Sequence, residues 1–151
     1  MLPTKENLTL QDAASLWGIL NFYVLERSHV EVYILQAEDT DLKRFLSSFL
    51  KNSIEKEIIN IRGILSYNNI DYPTSYPSRN LNLDFTLNEA TKYRDVEIAM
   101  VMLQTIRAAL PVFSSVISNS YSEEVIILIS GYYKEFLENM KTLLKLLDKK
   151  N

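Results

Sequence analysis

The sequence predicts an all-α protein, and two observations support this prediction. Glycine accounts for only 3 of 151 residues, whereas sandwiches, barrels and doubly wound sheets need glycine for their turns at closer to the average of about 7%. Apolar residues recur at three- and four-residue steps through four segments, and each segment opens with a helix-capping signal. A chain of this length is about one domain, so we expect a single four-helix bundle over residues 1–151.

The first two helices follow each other closely. The first is predicted over residues 10–37 and opens at Thr9, whose hydroxyl can accept a hydrogen bond from a free N–H group of the first turn. An acidic turn ends it, and the side chain of Asp39 or Thr40 caps the second helix, which is predicted over residues 41–69. Because the turn is so short, we expect these two helices to form an antiparallel hairpin.

The last two helices are predicted over residues 87–118 and 121–149. The segments 86–89 and 120–123 each have the spacing of a capping box, in which a hydroxyl and a carboxylate satisfy free N–H groups of the first turn. Pro111 lies inside the third helix and should kink it, because proline lacks an N–H group and its ring clashes with the preceding turn. A second short turn makes these helices another antiparallel hairpin.

One long irregular segment, residues 70–86, joins the two hairpins. At about 3.3 Å per residue this connection can reach about 50 Å, whereas a helix of about 28 residues is about 42 Å long. The connection can therefore run the length of the bundle and set the second and third helices parallel. Two antiparallel hairpins joined by one long crossover form the ferritin-like topology.

Composition and charge exclude several classes of function. The chain has no cysteine and one histidine, which excludes disulfide frameworks, thiolate metal sites, cysteine nucleophiles and sites with two imidazoles. The net charge is −3 and the basic residues form no stripe, so neither nucleic acid nor a membrane is expected as a partner. We find no signal peptide and no apolar run of about 18 residues, and we therefore expect a cytoplasmic protein.

One group of residues has features of a metal-binding set. Glu26 and His29 lie three positions apart in the first helix, the spacing that ferritin-like di-iron proteins use. Glu57 in the second helix and Glu97 in the third interrupt apolar stretches, so the four side chains could converge and bind iron, manganese or zinc. The full di-iron pattern needs two such pairs, on helices two and four, and helix four has no histidine here. The alternative is structural: Glu26 and His29 lie at the margin of the buried face and pair with neighbouring side chains.

The nine tyrosines indicate a surface for association. Tyr67, Tyr72 and Tyr76 cluster around the predicted crossover, and the adjacent Tyr132 and Tyr133 cannot both face the core. Exposed tyrosines offer a large contact area with one polar tip, which is common at interfaces, and two-fold homodimers are the commonest oligomers. We therefore expect a homodimer. The alternative is that the tyrosines cover the ends of the bundle with their hydroxyls in water.

Several short motifs resemble a helical, ferritin-like family from endospore-forming bacilli. They are the run from Leu8 to Trp17, the acidic turn at residues 37–43, the segment 70–73 and the Asn-Leu-Asn-Leu segment at 80–83. This family is catalogued as domain of unknown function 3231 and is related in fold to the spore coat F-type bundles. The resemblance implies a ferritin-like bundle from a spore former without an established activity, and it supplies no catalytic residues.

These observations favour a non-enzymatic structural or interaction bundle with a spore-associated role, located in the cytoplasm, the forespore or the spore. No cofactor and no catalytic residue is expected. The first alternative is a metal-binding, ferritin-like protein that keeps a reduced set of ligands for iron, manganese or zinc. A second alternative, a bundle whose interior binds a small apolar ligand, rests only on the long aliphatic faces of the helices.

Overall fold

A computed structural model describes residues 8–83 and 88–149 of the chain. Within these residues the backbone forms four helical rods and no β-strand, which confirms the predicted all-α four-helix bundle. The rods are α1 (Leu10–Gln36), α2 (Thr40–Ser48, Phe49–Glu55 and Lys56–Tyr67, which follow one another without a break), α3 (Asp95–Asn119) and α4 (Glu123–Lys149).

Side-chain caps define the first hairpin as the sequence predicts. Thr9 Oγ1 accepts a hydrogen bond from the Asp12 N–H group at 3.1 Å, and α1 begins at the next residue after Thr9. An Asp39 carboxylate oxygen accepts a hydrogen bond from the Leu42 N–H group at 2.8 Å, so Asp39 rather than Thr40 caps α2. Each cap satisfies one of the N–H groups that have no partner inside the helix.

Helix α4 begins two residues later than predicted, at Glu123. The Ser120 hydroxyl accepts a hydrogen bond from the Ser122 N–H group at 3.1 Å, which closes a local turn before the helix. The Ser122 hydroxyl accepts a hydrogen bond from the Val125 N–H group at 3.3 Å. The N-terminal cap is therefore Ser122, and the predicted capping box at residues 120–123 is wrong because Ser120 is used by the preceding turn.

Part of α2 is wound more loosely than the periodicity predicts. The segment Phe49–Glu55 is π-helical, so its backbone hydrogen bonds span five residues rather than four. The wider turns change the direction in which successive side chains point. Ser53, inside this segment, and Glu57, just after it, are both buried. Such segments are frequent at functional sites, and this one leads directly to a buried carboxyl group.

The connection between the hairpins follows α2, and its described residues, 68–83 and 88–94, contact α1 at several points. Near the start of α1, Trp17 Nε1 donates a hydrogen bond to the Asp71 carbonyl oxygen at 3.0 Å. Just beyond the end of α1, Lys92 forms an ion pair with Glu38. The chain therefore traverses the length of α1 between these two contacts, as the reach of the connection predicts.

Helix α3 begins at Asp95, eight residues after its predicted start. Residues 86–87 of the predicted capping box lie outside the described residues. Asn88 closes a separate turn, in which its side-chain oxygen accepts a hydrogen bond from the Ala90 N–H group at 2.9 Å. The Tyr93 N–H group then donates to a side-chain oxygen in the last turn of α1, at 3.0 Å. This attachment holds the chain in an extended conformation up to the first residue of α3.

The Asp95 carboxylate places the start of α3 beside the start of α2. Its two oxygens accept hydrogen bonds from the N–H groups of Glu38 and Asp39, at 2.9 and 3.0 Å, in the turn between α1 and α2. Because α2 and α3 begin at the same end of the bundle, they run in the same direction. Helix α1 contacts α3 and helix α2 contacts α4, an arrangement consistent with the ferritin-like topology.

Aromatic rings from all four helices fill the centre of the bundle. Phe136 of α4 is fully buried. Its ring centroid lies 5.0 Å from that of Phe113 in α3, 5.6 Å from that of Phe49 in α2 and 6.1 Å from that of Tyr23 in α1. These distances and the tilted or edge-to-face geometries are those that aromatic pairs prefer. Helical bundles build their metal and cofactor sites in this central region, and here it is a packed core.

Helix α3 is apolar over much of its length. An 18-residue window of Asp95–Asn119 has a mean hydropathy of 1.5, so by length and composition alone the helix could span a membrane. Its inner side carries Ile98, Met102 and Ile106, which are buried in the core, and core helices of soluble proteins have the same composition. Only 28% of the window is buried, however, so much of this apolar helix faces outwards.

Candidate functional site

The structure brings together two of the four candidate metal ligands, Glu26 and His29. His29 Nδ1 lies 3.2 Å from Glu26 Oε1, with the imidazole side chain 55% exposed and the carboxylate side chain 10% exposed. Burial raises the pKa of Glu26, and the hydrogen bond and charge of His29 oppose this increase. The other carboxylate oxygen, Oε2, has no hydrogen-bond partner among the described residues. The pair therefore lies at the margin of the core, with its imidazole open to solvent.

The other two candidate ligands lie apart from this pair. Glu57 is only 2% exposed and accepts a hydrogen bond from Asn60 Nδ2 at 3.2 Å. The Glu97 side chain is 49% exposed and lies 3.7 Å from Arg94 Nε at the surface. Within residues 8–83 and 88–149, no three His, Asp or Glu side chains are grouped closely enough to hold a metal ion. The predicted convergence is therefore limited to Glu26 and His29.

Glu57, Tyr23 and Tyr132 form a second group of buried polar side chains, called here the Glu57 cluster. The two tyrosines belong to α1 and α4, their ring centroids are 5.6 Å apart, and both are at most 2% exposed. In the part of the chain that the structure describes, neither hydroxyl makes a hydrogen bond of normal geometry. A buried hydroxyl without a partner destabilises the fold by about 1–3 kcal/mol. This cost applies to Tyr23, because the Tyr132 hydroxyl interacts with the Glu57 carboxyl group.

Burial controls the protonation of the Glu57 cluster. It raises the pKa of Glu57, while the nearby Tyr132 hydroxyl and Asn60 favour the charged carboxylate and partly oppose the increase. Burial and the Glu57 charge raise the pKa of Tyr132 far above the usual range, and burial and Glu57 do the same for Tyr23. Both tyrosines therefore stay protonated at any physiological pH. The cluster holds two hydroxyl donors beside one carboxyl group whose neutral form is favoured.

A third polar group, which no pattern in the sequence predicts, attaches the crossover to α1. Arg27 Nε lies 3.3 Å from Glu31 Oε1, and its Nη2 donates to the Tyr76 carbonyl oxygen at 2.8 Å and to the Ser78 hydroxyl at 2.7 Å. Glu31, which is 3% exposed, accepts a hydrogen bond from the Arg79 N–H group. The i,i+4 spacing of Arg27 and Glu31 was visible in the sequence, but their partners lie about 50 residues away.

The aromatic side chains divide between core and surface. Tyr67 and Tyr76 at the crossover are 62% and 59% exposed, whereas Tyr132 is buried and its neighbour Tyr133 only half-buried, as the sequence predicts. The Trp17 side chain is 43% exposed, and its indole N–H group donates a hydrogen bond to the crossover. Exposed aromatic area is thus concentrated around the connection between the hairpins.

The fold and these polar groups define a helical bundle with a packed aromatic centre and one crossover that is attached to α1 by hydrogen bonds. A family model described as "Protein of unknown function (DUF3231)" matches residues 1–151. The chain therefore belongs to this family, as the sequence motifs indicate. A search of curated proteins finds no match.

Two solved structures share the fold. A protein described as a putative spore coat protein (BH2358) from Bacillus halodurans C-125 is 21% identical, with a TM-score of 0.89 over 96% of this chain and 91% of that one. A conserved hypothetical protein, rv2844, from Mycobacterium tuberculosis is 11% identical, with a TM-score of 0.71 over 91% of this chain and 97% of that one. At these identities the likeness extends to the fold alone.

Proposed function

We propose that the chain is a non-enzymatic structural or interaction protein that acts as a homodimer and is associated with the spore. The observation that supports the proposal is the distribution of apolar side chains. Aromatic rings pack the centre of the bundle, while large apolar side chains are left exposed on its outside, and four of these lie along α3. A close-packed centre favours stability, whereas contiguous exposed apolar surface is typical of protein interaction sites.

The buried polar groups fit a structural role. The imidazole of His29 contacts Glu26 rather than the Glu57 cluster, so the one histidine of the chain is engaged at the edge of α1. In the Glu57 cluster, burial favours the neutral forms of all three side chains. Buried polar side chains of this kind can make one packing arrangement more specific than its alternatives, and we assign that role to the cluster.

The spore association draws on the Bacillus halodurans neighbour, which is described as a spore coat protein. It is tested with an epitope-tagged chain expressed from its own promoter in an endospore-forming bacillus. Purified spores are separated into a coat extract and a core fraction, and both are compared with vegetative lysate by immunoblot. We expect the chain in the spore fractions. Its confinement to vegetative lysate would contradict the association.

The homodimer is tested by multi-angle light scattering of the purified chain. We expect a mass of about 35 kDa at high protein concentration, which is twice the 17.5 kDa of one chain. Because two-fold contacts of moderate size dissociate on dilution, the mass should fall towards that of one chain as the concentration is lowered. A mass of one chain throughout the series, up to about millimolar concentration, is the result that contradicts a homodimer.

The second candidate function is a metal-binding bundle with a reduced ligand set. The observation in its favour is the contact between Glu26 and His29, one carboxylate and one imidazole at 3.2 Å. This mixed oxygen and nitrogen pair would suit iron, manganese or zinc. Two ligands hold such an ion weakly, and solvent or another chain would have to complete the coordination shell.

A further inference from the structure

Helix α3 has an outer side that is nearly free of charge. Its 25 residues, Asp95–Asn119, contain only three charged side chains, Asp95, Glu97 and Arg107. Asp95 binds the turn between α1 and α2. The two remaining charged side chains are on the outside: Glu97, which also lies 3.7 Å from Arg94 just before the helix, and Arg107. Surface helices of soluble proteins normally present a charged face to water, so α3 departs from this pattern.

The exposed residues of α3 form a continuous surface, called here the α3 outer face. Because a helix turns 100° per residue, residues that lie opposite the buried side of α3 fall on one broad stripe. Four of them are large apolar side chains with exposures between 39% and 52%, and two, Glu97 and Arg107, are charged. The uncharged part of the α3 outer face consists of Val96, Met100, Val101, Gln104, Ala108 and Val112.

We propose that the α3 outer face is the surface through which two copies of this chain associate, with their α3 helices packed antiparallel about a two-fold axis. This inference rests on the proposed function, because it names the surface of the homodimer. Two identical copies meet most readily through the same patch on each, so that a contact from one copy to the other is made twice. The stripe presents such a patch along most of a helix.

The two exposed charges support the antiparallel arrangement. Glu97 and Arg107 are ten residues apart, or about 15 Å along the helix. With the two-fold axis level with Met102, Glu97 of one copy comes level with Arg107 of the partner subunit, and the reverse contact is made on the other side of the axis. A parallel arrangement would instead bring like charges level with one another, which is unfavourable. The charges of one chain are therefore complementary to those of a second copy.

The same register places Val96 level with Ala108 of the partner subunit, a larger side chain beside a small one, which helps two helices to pack closely. Met100 comes level with Gln104 of the partner subunit, so an apolar side chain meets an uncharged one there. A contact along one helix of about 37 Å is small compared with stable interfaces, so we expect a dimer that dissociates in the micromolar range or above.

A membrane is the competing occupant of this surface, since α3 is apolar and long. Its inner side, with Ile98, Met102 and Ile106, is buried against the rest of the bundle. Only the outer stripe could therefore contact lipid without unfolding the core. The net charge of −3 gives no attraction to anionic lipid. A second copy of the chain, whose Arg107 and Glu97 are opposite in charge to the Glu97 and Arg107 of the first, is the favoured occupant.

The experiment measures the dissociation constant of the full chain by sedimentation velocity, for the native sequence and two aspartate variants. Met100→Asp places a charge on the α3 outer face, and we expect it to raise the dissociation constant by more than about tenfold. Ile127→Asp is the matched control, because Ile127 is 65% exposed on α4, and we expect a change of less than about twofold. Circular dichroism of all three proteins verifies that the helices are retained.

Charge reversal tests the register. Glu97→Arg and Arg107→Glu each place like charges level with one another at two symmetric contacts, and each should weaken the dimer by about fivefold to tenfold. The variant with both changes restores opposite charges and should return to within about threefold of the native constant. Single reversals without effect, or a double variant weaker than both singles, would overturn the antiparallel register.

The outcomes separate this inference from the proposed function. A native chain that is monomeric at all concentrations overturns both. A native dimer that Met100→Asp leaves intact overturns the α3 outer face as the interface but leaves the homodimer standing. Co-sedimentation of the native chain with phosphatidylcholine and phosphatidylglycerol vesicles, lost in Met100→Asp, would assign the face to lipid and overturn the inference. Absence of vesicle binding together with a weakened dimer supports it.

Discussion

Replacement of Phe136 by alanine tests whether the centre of the bundle is a packed core. Phe136 is fully buried, and its ring lies between 5.0 and 6.3 Å from four other rings. These four rings come from three other helices, so the one side chain joins both hairpins. The partners are Phe22, Tyr23, Phe49 and Phe113.

The magnitude follows from this geometry. Truncation of a buried Phe to Ala usually costs about 3–5 kcal/mol, and each aromatic pair adds about 0.5–1.5 kcal/mol beyond the buried area. Because the truncation removes the packing of this ring against all of its partners, we expect Phe136→Ala to lower the free energy of unfolding by about 5 kcal/mol, the upper end of that range. Domains are stable by only about 5–15 kcal/mol, so this variant can be largely unfolded. Phe136→Leu keeps most of the volume and should cost about 1–2 kcal/mol.

The assay is urea unfolding followed by far-UV circular dichroism, at one fixed protein concentration because a dimer would couple unfolding to association. Tyr121→Ala is the control, since Tyr121 is aromatic and 84% exposed and should change stability by less than about 0.5 kcal/mol. A loss below about 2 kcal/mol for Phe136→Ala, with an unchanged dependence on urea, would refute the description of the centre as close-packed.

Three further predictions concern the polar groups. Because burial raises the pKa of Glu57, the folded chain binds this proton more tightly than the unfolded chain, so stability falls as pH rises from the ordinary pKa through the raised one. Glu57→Gln removes this loss of stability. Urea unfolding should give the variant and the native chain equal free energies of unfolding near pH 4, and the variant the higher free energy at pH 8. A variant that is less stable than the native chain at pH 8 would contradict this prediction. Asp95→Ala removes both hydrogen bonds to the turn between α1 and α2 and should lower the stability measured by thermal unfolding by about 1–3 kcal/mol. The control is Asp41→Ala, an exposed residue in the first turn of α2, which should cost less than about 1 kcal/mol. Equal losses for the two variants would show that Asp95 acts only through the helix dipole. For the metal alternative, elemental analysis of tag-free protein should give well under one iron, manganese or zinc per chain, and near-stoichiometric metal that is lost in His29→Ala would instead establish the metal-binding function.

Local signals were sufficient for the helices and for their order. The caps at Thr9 and Asp39 were predictable because a capping side chain bonds to N–H groups only three residues away. The crossover along α1 was predictable from its length and from two short turns elsewhere. The start of α3 was not predictable, because it is set by Asp95 and Tyr93 contacts to residues about 57 positions earlier in the chain.

The candidate site was predictable only where it is local. The contact between Glu26 and His29 follows from their i,i+3 spacing on one helix. Burial of Glu57 could be inferred from its apolar neighbours, but its approach to Tyr23 and Tyr132 depends on how three helices pack. The Glu97 side chain is at the surface because the register of α3 turns the neighbouring Ile98 inwards.

The sequence by itself determined that the chain is helical, where most helices begin and end, and that two hairpins are joined by one crossover. These features depend on glycine content, periodicity and capping, all of which act between residues close in the chain. Only the tertiary structure decided the π-helical turns of α2, the aromatic centre around Phe136 and the exposure of the apolar side of α3. Each of these depends on which faces of distant helices meet. An apolar stripe has the same sequence pattern whether it is buried in the bundle or exposed to solvent.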